Sequence, residues 1–194
     1  MIKKTGKEII NKVASIINDL DEEQVDTFVD EIVKSRTIFV IGAGRSGLVA
    51  RAFAMRLMHL GFSVYVVGDT VTPSLRPGDL LVAISGSGET ASVVSSIITA
   101  REHKARVIAI TGQEESTVAK GAGVFVKIQT VVRKEKKDRD YTANQLSGAT
   151  ATLTPLGTVF ELSSLIFCDS VIAELMKIMG TTESEMKRQH ANIE

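Results

Sequence analysis

The chain has 194 residues, of which 44% are hydrophobic, and this length predicts one domain, residues 1–194, with an ordinary apolar core. Basic and acidic residues number 23 each, so charge gives no reason to expect a nucleic-acid partner or a membrane surface. The single cysteine, Cys168, excludes an internal disulfide, no apolar run has membrane-spanning length and no signal peptide is recognisable, so we expect a cytoplasmic protein.

The first third of the chain predicts two helices, a strand and a third helix. Apolar residues recur at helical spacing over residues 9–17 and again over residues 25–33. The run TIFVIG at 37–42 is short, β-branched and ended by glycine, which predicts a buried strand. The stretch SGLVARAFAMRLMHLG at 46–61 then predicts a helix that Gly61 terminates.

Strands and helices alternate through the middle of the chain. Four more strands are predicted at SVYVVG (63–68), DLLVAIS (79–85), ARVIAITG (105–112) and GVFVKI (123–128). A helix is predicted at 89–104 and a short helical turn at 115–122. This alternation predicts a parallel sheet of five strands with helices on both faces, a three-layer α/β/α sandwich.

The last third predicts a solvated loop, a long helix and a helical tail. RKEKKDRD at 133–140 has no apolar partner and reads as a loop. Thr154 and Pro155 form a plausible start for a helix over residues 156–179, which is apolar on nearly every side. Such a helix is buried by the sheet, by a second subunit or by both. After Gly180, one more capped helix is predicted.

A glycine loop follows the first predicted strand. Gly42, Gly44 and Gly47 in FVIGAGRSG have the G-x-G-x-x-G spacing of a dinucleotide-binding turn. Asp69 lies near the end of the next strand, where a carboxylate would bind the ribose of a nicotinamide cofactor. The same glycines also suit a tight strand-to-helix turn with no ligand at all. We refer to residues 42–47 as the glycine loop.

A serine loop, residues 85–90, follows the third strand and opens the next predicted helix. Ser85, Ser87 and Thr90 in AISGSGET surround two glycines, and hydroxyl and amide groups at a helix start suit a phosphate monoester. No lysine completes a nucleotide-binding P-loop, and an ordinary serine-capped helix is the alternative. Both loops would lie at the carboxyl ends of adjacent strands, where open α/β sheets bind ligands.

The two loops together resemble those of the sugar-isomerase domain family. GAGRSG is followed at the family's distance by ISGSGET, and FAMRLMHLGFSVYVVGD, PLGTVFE and HANIE look like the family members that act on hexulose phosphates. The resemblance implies a phosphosugar-binding α/β sandwich with a five-stranded parallel sheet. It also implies interconversion of 3-hexulose 6-phosphate and fructose 6-phosphate through an enediol(ate), in the ribulose monophosphate pathway beside 3-hexulose-6-phosphate synthase.

The same resemblance implies which residues act on the sugar. The substrate-binding candidates are Gly44, Arg45, Ser46, Ser85, Ser87 and Thr90. Arg45 could bind the phosphate or stabilise the enediolate oxygen. This isomerisation requires no redox cofactor and no metal, and the sequence has no cluster of ligands at metal-binding spacing.

Glu161 is the candidate general base, because it ends the PLGTVFE block and has apolar neighbours on its helix. Asp169, eight residues later, is the rival carboxylate. Among the histidines, His190 is the candidate for proton relay. His103 reads as a solvated helix end, and His59 would lie roughly 20 Å along its helix from the glycine loop.

The apolar helices predict a homo-oligomer, and we favour a tetramer over a dimer. His190, close to the chain end, would then act in the site of a neighbouring subunit, alone or together with Glu161, facing Arg45 and the serine loop of that subunit. Three other functions stay open from the sequence: an isomerase of another sugar phosphate, a phosphosugar-binding regulator without catalysis, and a nicotinamide-dependent dehydrogenase.

Overall fold

The computed structural model describes residues 1–129 and 157–190. The strands are β1 (Thr37–Gly42), β2 (Ser63–Val66), β3 (Leu80–Ser85), β4 (Arg106–Thr111) and β5 (Val124–Lys127). The helices are α1 (Ile2–Asn18), α2 (Glu22–Val33), α3 (Gly44–His59), α4 (Ala91–Glu102), α5 (Thr117–Gly121), α6 (Thr158–Met179) and α7 (Glu183–Arg188). Each predicted strand and helix is therefore found in chain order.

The five strands form one parallel sheet in the order β2-β1-β3-β4-β5. The central strand β3 is buried along its whole length, as its continuous apolar run requires. The chain moves outward from β1 to β2 and then returns to pair β3 with the other side of β1. This reversal creates a switch point between β1 and β3, where the connections leave the sheet on opposite faces.

Two apolar layers cover the sheet. Successive β1 residues point to opposite faces, so Ile38 and Val40 join one core while Phe39 and Ile41 join the other. Helices α2, α3 and α6 supply most of the first core, with α1 packed against it, and α4 and α5 supply the second. The predicted three-layer sandwich with a five-stranded parallel sheet is confirmed.

Aromatic packing fixes α6 in the first core. The Phe167 ring lies edge-on to the Phe28 ring of α2, with centroids 5.3 Å apart, and both side chains are buried. The same helix carries exposed apolar residues, including Ile166 and Ile178. The sheet therefore covers only part of a helix that is apolar on nearly every side.

Helix α6 begins later than the sequence predicts. Its N-cap is Gly157, with a φ of 78°, and its first residue is Thr158. The predicted cap at Thr154 and Pro155 lies outside the described residues, as does the loop predicted at 133–140. At the end of α3 the prediction is confirmed, because Gly61 has a φ of 94° and its N–H donates to Met58. None of the helices within residues 1–129 and 157–190 combines the length and apolar character needed to cross a membrane.

The contact between α2 and α6 predicts that loss of the Phe167 ring destabilises the fold. Replacing Phe167 by Ala should lower the free energy of unfolding by about 3–5 kcal/mol, because it leaves a cavity against Phe28. Urea denaturation measures the change. Val71→Ala, in a side chain that is 76% exposed, is the control and should change stability little. Equal effects in the two variants would contradict the assigned packing.

Candidate active site

The glycine loop is a tight turn from β1 into α3. A Cβ atom on Gly42 would lie 2.6 Å from the carbonyl oxygen of Ser46, and one on Gly47 would lie 2.9 Å from the carbonyl oxygen of Gly42. Gly44 has a φ of 56°, in the left-handed region. The spacing of the three glycines is therefore explained by the backbone itself, because the helix starts in direct contact with the strand end.

Asp69 has a partner within the protein. Its two carboxylate oxygens accept hydrogen bonds from the Arg51 guanidinium, at 2.8 and 3.1 Å. These bonds hold the pKa of Asp69 below its ordinary value, since they stabilise the charged form. The carboxylate that supported the nicotinamide hypothesis thus pairs with an arginine of α3, which removes the second reason for that hypothesis.

The serine loop brings three hydroxyl groups to the start of α4. The Oγ of Ser85 accepts a hydrogen bond from Gly88 N–H at 3.1 Å and lies 3.2 Å from the Oγ1 of Thr90. The Oγ of Ser87 accepts from the N–H of Glu89 at 3.2 Å. Thr90 precedes α4 without a side-chain capping bond, so the first turn of that helix keeps amide groups for an anion.

The two loops lie side by side. In the pairing of β1 with β3, Gly42 is opposite Ile84, so both strands end at the same level of the sheet. The glycine loop and the serine loop therefore flank the switch point at the carboxyl edge. Two helices, α3 and α4, start there, and their positive dipole ends both favour a negative group.

Helix α6 adds a carboxylate to this edge. The Nε of Arg45 in the glycine loop lies 2.5 Å from the Oε2 of Glu161, whose side chain is only 14% exposed. A Cβ on Gly157 would lie 2.7 Å from the Oε1 of Glu161, so the glycine leaves space for the carboxylate. A Cβ on Gly86 of the serine loop would lie 3.1 Å from the Phe160 ring. The first turn of α6 thus touches both loops.

The structure brings together Arg45, Glu161 and the predicted serine-loop residues Ser85, Ser87 and Thr90, with Gly44 and Ser46 in the same turn as Arg45. The rival Asp169 is exposed, farther along α6. Neither Gly157 nor Phe160 has a role among the sequence-based predictions. A signal for Gly157 was available, because a glycine stands four residues before the candidate base at the start of a helix.

His190 lies elsewhere in its own chain. Its ring packs against His59, with centroids 5.0 Å apart, and His59 is the last residue of α3. Since α3 runs from Gly44 to His59, this end lies roughly 20 Å along the axis from the glycine loop, as the sequence predicts. A role for His190 in a neighbouring subunit's site stays a prediction.

Three features of the described residues lie apart from the two loops: a buried thiol, the absence of a metal-binding group, and a cleft. Burial raises the pKa of the Cys168 thiol far above its ordinary value, so this cysteine is unreactive. Within the described part of the chain, no three His, Cys, Asp or Glu side chains are grouped so that they could hold a metal ion. A cleft of about 430 Å³ lies at the opposite, amino-terminal edge of β4 and β5, lined in part by Arg106 and Gly123, and is separate from both loops.

Comparison with known proteins gives consistent matches. A family model described as SIS domain matches residues 31–161. A 3-hexulose-6-phosphate isomerase of Bacillus subtilis is 38% identical over 187 residues, which is 96% of this chain and 97% of that protein. One of the same name from Methanocaldococcus jannaschii is 41% identical over 176 residues, covering 91% of this chain and 87% of that protein.

A solved structure agrees with these matches. The crystal structure of a Methanococcus jannaschii protein, for which the function of 3-hexulose-6-phosphate isomerase is inferred, has a TM-score of 0.77 and 38% identity to this chain. The alignment covers 96% of this chain and 97% of that protein.

The burial of His59 predicts that the stability of the fold depends on pH. Burial, with His190 and Arg56 nearby, lowers the pKa of His59 below 6.5, so the unfolded chain binds a proton at a higher pH than the folded chain. The free energy of unfolding should therefore decrease from about pH 7.5 to about pH 5.5, and His59→Gln should weaken this dependence. Urea denaturation at both pH values tests it. His103→Gln, at the exposed end of α4, is the control, and an equal loss of pH dependence there would contradict the prediction.

Proposed function

This chain belongs to the SIS domain family, and we propose that it is an isomerase that interconverts 3-hexulose 6-phosphate and fructose 6-phosphate. The observation that carries the proposal is the contact of Arg45 with Glu161, at 2.5 Å, beside the serine loop. Such an isomerase needs an anion site for the phosphate and a carboxylate base near the reacting carbons. The names of the two relatives support the choice of hexulose phosphate over other sugar phosphates.

The serine loop is the proposed phosphate site. The hydroxyl groups of Ser85, Ser87 and Thr90 and the first amides of α4 would donate to the phosphate oxygens. Gly44 and Ser46 would line the neighbouring sugar site, on the other side of the switch point. The phosphate is on C6 and the reaction takes place at C2 and C3, so the substrate needs two adjoining sites of this kind.

Glu161 is the proposed base. Its carboxylate would remove the proton from C2 of 3-hexulose 6-phosphate, and the electron pair of that bond would form the enediolate, with negative charge on the C3 oxygen. Proton transfer from the C2 hydroxyl to the C3 oxygen and return of the proton from Glu161 to C3 then give fructose 6-phosphate. One carbonyl is lost as another forms, so the step is redox-neutral.

Arg45 is the proposed electrostatic partner of the enediolate. A guanidinium held against the base makes the carboxylate a weaker proton acceptor, so this contact has to loosen during the reaction. The Arg45 side chain is 58% exposed and can turn from Glu161 toward the developing oxyanion. This arrangement favours the enediolate role of Arg45 over the role of phosphate ligand.

We further propose a homo-oligomer, with a tetramer favoured, in which His190 relays protons in a neighbouring site. Exposed apolar side chains on two helices support an interface: Leu48 and Met55 on α3, and Ile166 on α6. Given the proposed substrate, the reaction would be a cytoplasmic step of the ribulose monophosphate pathway, downstream of 3-hexulose-6-phosphate synthase.

Turnover is the direct test of this function. Purified protein should convert 3-hexulose 6-phosphate, with fructose 6-phosphate detected by a coupled enzyme. In thermal denaturation, fructose 6-phosphate should raise the melting temperature and NAD or NADP should not. Stabilisation without turnover would instead indicate a phosphosugar-binding regulator.

Replacement of the base predicts a specific kinetic change. Glu161→Gln keeps the shape of the side chain but cannot accept the proton, so kcat should fall by roughly 10²–10⁴ while fructose 6-phosphate still binds. Asp169→Asn is the matched control on the same helix and should retain near-normal kcat. Near-normal turnover in Glu161→Gln would move the role of base to another residue.

A mixing experiment tests the shared site. The double variant Ser87→Ala/Thr90→Ala loses the phosphate site and His190→Ala loses the relay, so each alone should be nearly inactive. After mild dissociation and joint reassembly, shared sites would combine intact halves and a fraction of the activity should return. Mixed oligomers without activity would show that each site is built within one chain.

A further inference from the structure

The serine loop contains an acidic residue, Glu89, that the proposed function does not use. Both of its carboxylate oxygens are engaged by Thr117, the first residue of α5. Oε1 accepts from the Thr117 N–H at 2.8 Å, and Oε2 accepts from the Thr117 hydroxyl at 2.7 Å. The side chain therefore joins the loop after β3 to the segment after β4, across 28 residues of sequence.

Neighbouring backbone contacts follow the same path. The carbonyl of Gly88 accepts from Val118 N–H at 3.0 Å, and the carbonyl of Gly86 accepts from Gly112 N–H at 3.2 Å. Gly88 has a φ of 68°, and a Cβ there would overlap the Ser116 hydroxyl at 2.1 Å. The serine loop is thus held against the residues that follow β4, and Glu89 makes the side-chain part of that contact.

A carboxylate in a phosphate-binding loop has an electrostatic cost, because like charges repel across a short distance. The contact of Glu89 with Thr117 reduces that cost. The charge is directed at the amide and hydroxyl of Thr117, and these hydrogen bonds lower the pKa of Glu89 because they stabilise the charged form. The negative charge is therefore stabilised by the start of α5 and by solvent, since the side chain is exposed.

We propose that Glu89 is a positioning residue that holds the serine loop, through Thr117, in the shape that binds the substrate phosphate. This inference rests on the proposed function and adds a residue to its phosphate site. Without the Glu89–Thr117 contact, backbone bonds alone would hold the serine loop against α5, and the hydroxyl and amide donors would converge less closely on the phosphate. The phosphate is bound in both the ground state and the transition state, so the loss should weaken binding more than it slows the chemistry.

The kinetic test compares two explanations of Glu89 that predict opposite changes in KM. If Glu89 were only a carboxylate near an anion, Glu89→Ala would lower KM. If Glu89 is a positioning residue, the KM of Glu89→Ala should be about tenfold higher than that of the unchanged protein, and its kcat should stay within about twofold. Glu89→Gln keeps an acceptor for the Thr117 N–H and should restore KM to within about twofold. Glu115→Ala, an exposed carboxylate paired with Lys120, is the matched control and should leave KM unchanged.

Two further measurements keep the inference falsifiable. Thr117→Val removes the hydroxyl bond and should raise KM about threefold even if Glu89→Ala does not fold. Calorimetric titration with inorganic phosphate should show the same order of affinities. An unchanged or lower KM in Glu89→Ala or Thr117→Val, or equal damage in Glu89→Gln and Glu89→Ala, would overturn the inference. If the unchanged protein fails to convert the hexulose phosphate, the proposed function falls, and the phosphate titration still tests Glu89.

Discussion

The first turn of α6 packs against both loops at the carboxyl edge of the sheet, and the candidate site depends on this packing. It brings Glu161 to Arg45, 116 residues apart in sequence, and places the Phe160 ring against Gly86. Farther along the helix, Phe167 is fixed in the core by its contact with Phe28. A carboxylate on a helix that is anchored in the core has little freedom to move, whereas the side chain of its partner Arg45, in the first turn of α3, is 58% exposed. The site therefore combines one rigid and one mobile charged group.

The topology of the sheet explains why the site is at this edge. The chain reverses direction between β1 and β3, so α3 leaves toward one face and α4 toward the other, and both helices begin at the carboxyl edge. Right-handed crossover connections make this arrangement the usual result of such a strand order. The crevice between the loops thus collects two helix starts, whose dipoles favour a negative group, and the charge of Glu161 there is offset by Arg45. A phosphorylated substrate fits these electrostatics better than a neutral one.

The strands and the two loops could be predicted because each has a local signal. A buried parallel strand is a continuous apolar run, and a tight strand-to-helix turn needs glycine where a Cβ would collide, as at Gly42. Contacts between distant residues have no such signal. The pairing of Asp69 with Arg51, the packing of His190 on His59 and the bonds of Glu89 to Thr117 depend on how helices pack. The residues themselves can be read from the sequence, but the partner of each one cannot.

Glu161 and Glu89 both place negative charge beside an expected anion site, and the structure pairs them in different ways. Glu161 pairs with the exposed guanidinium of Arg45, a partner that can turn away. Glu89 pairs with a backbone amide and a hydroxyl of Thr117, which are fixed at the start of α5. A base has to be released when the substrate binds, and a positioning group has to remain in place. The mobile partner suits the first requirement and the fixed partner suits the second, so the type of partner matches the different roles proposed for the two carboxylates.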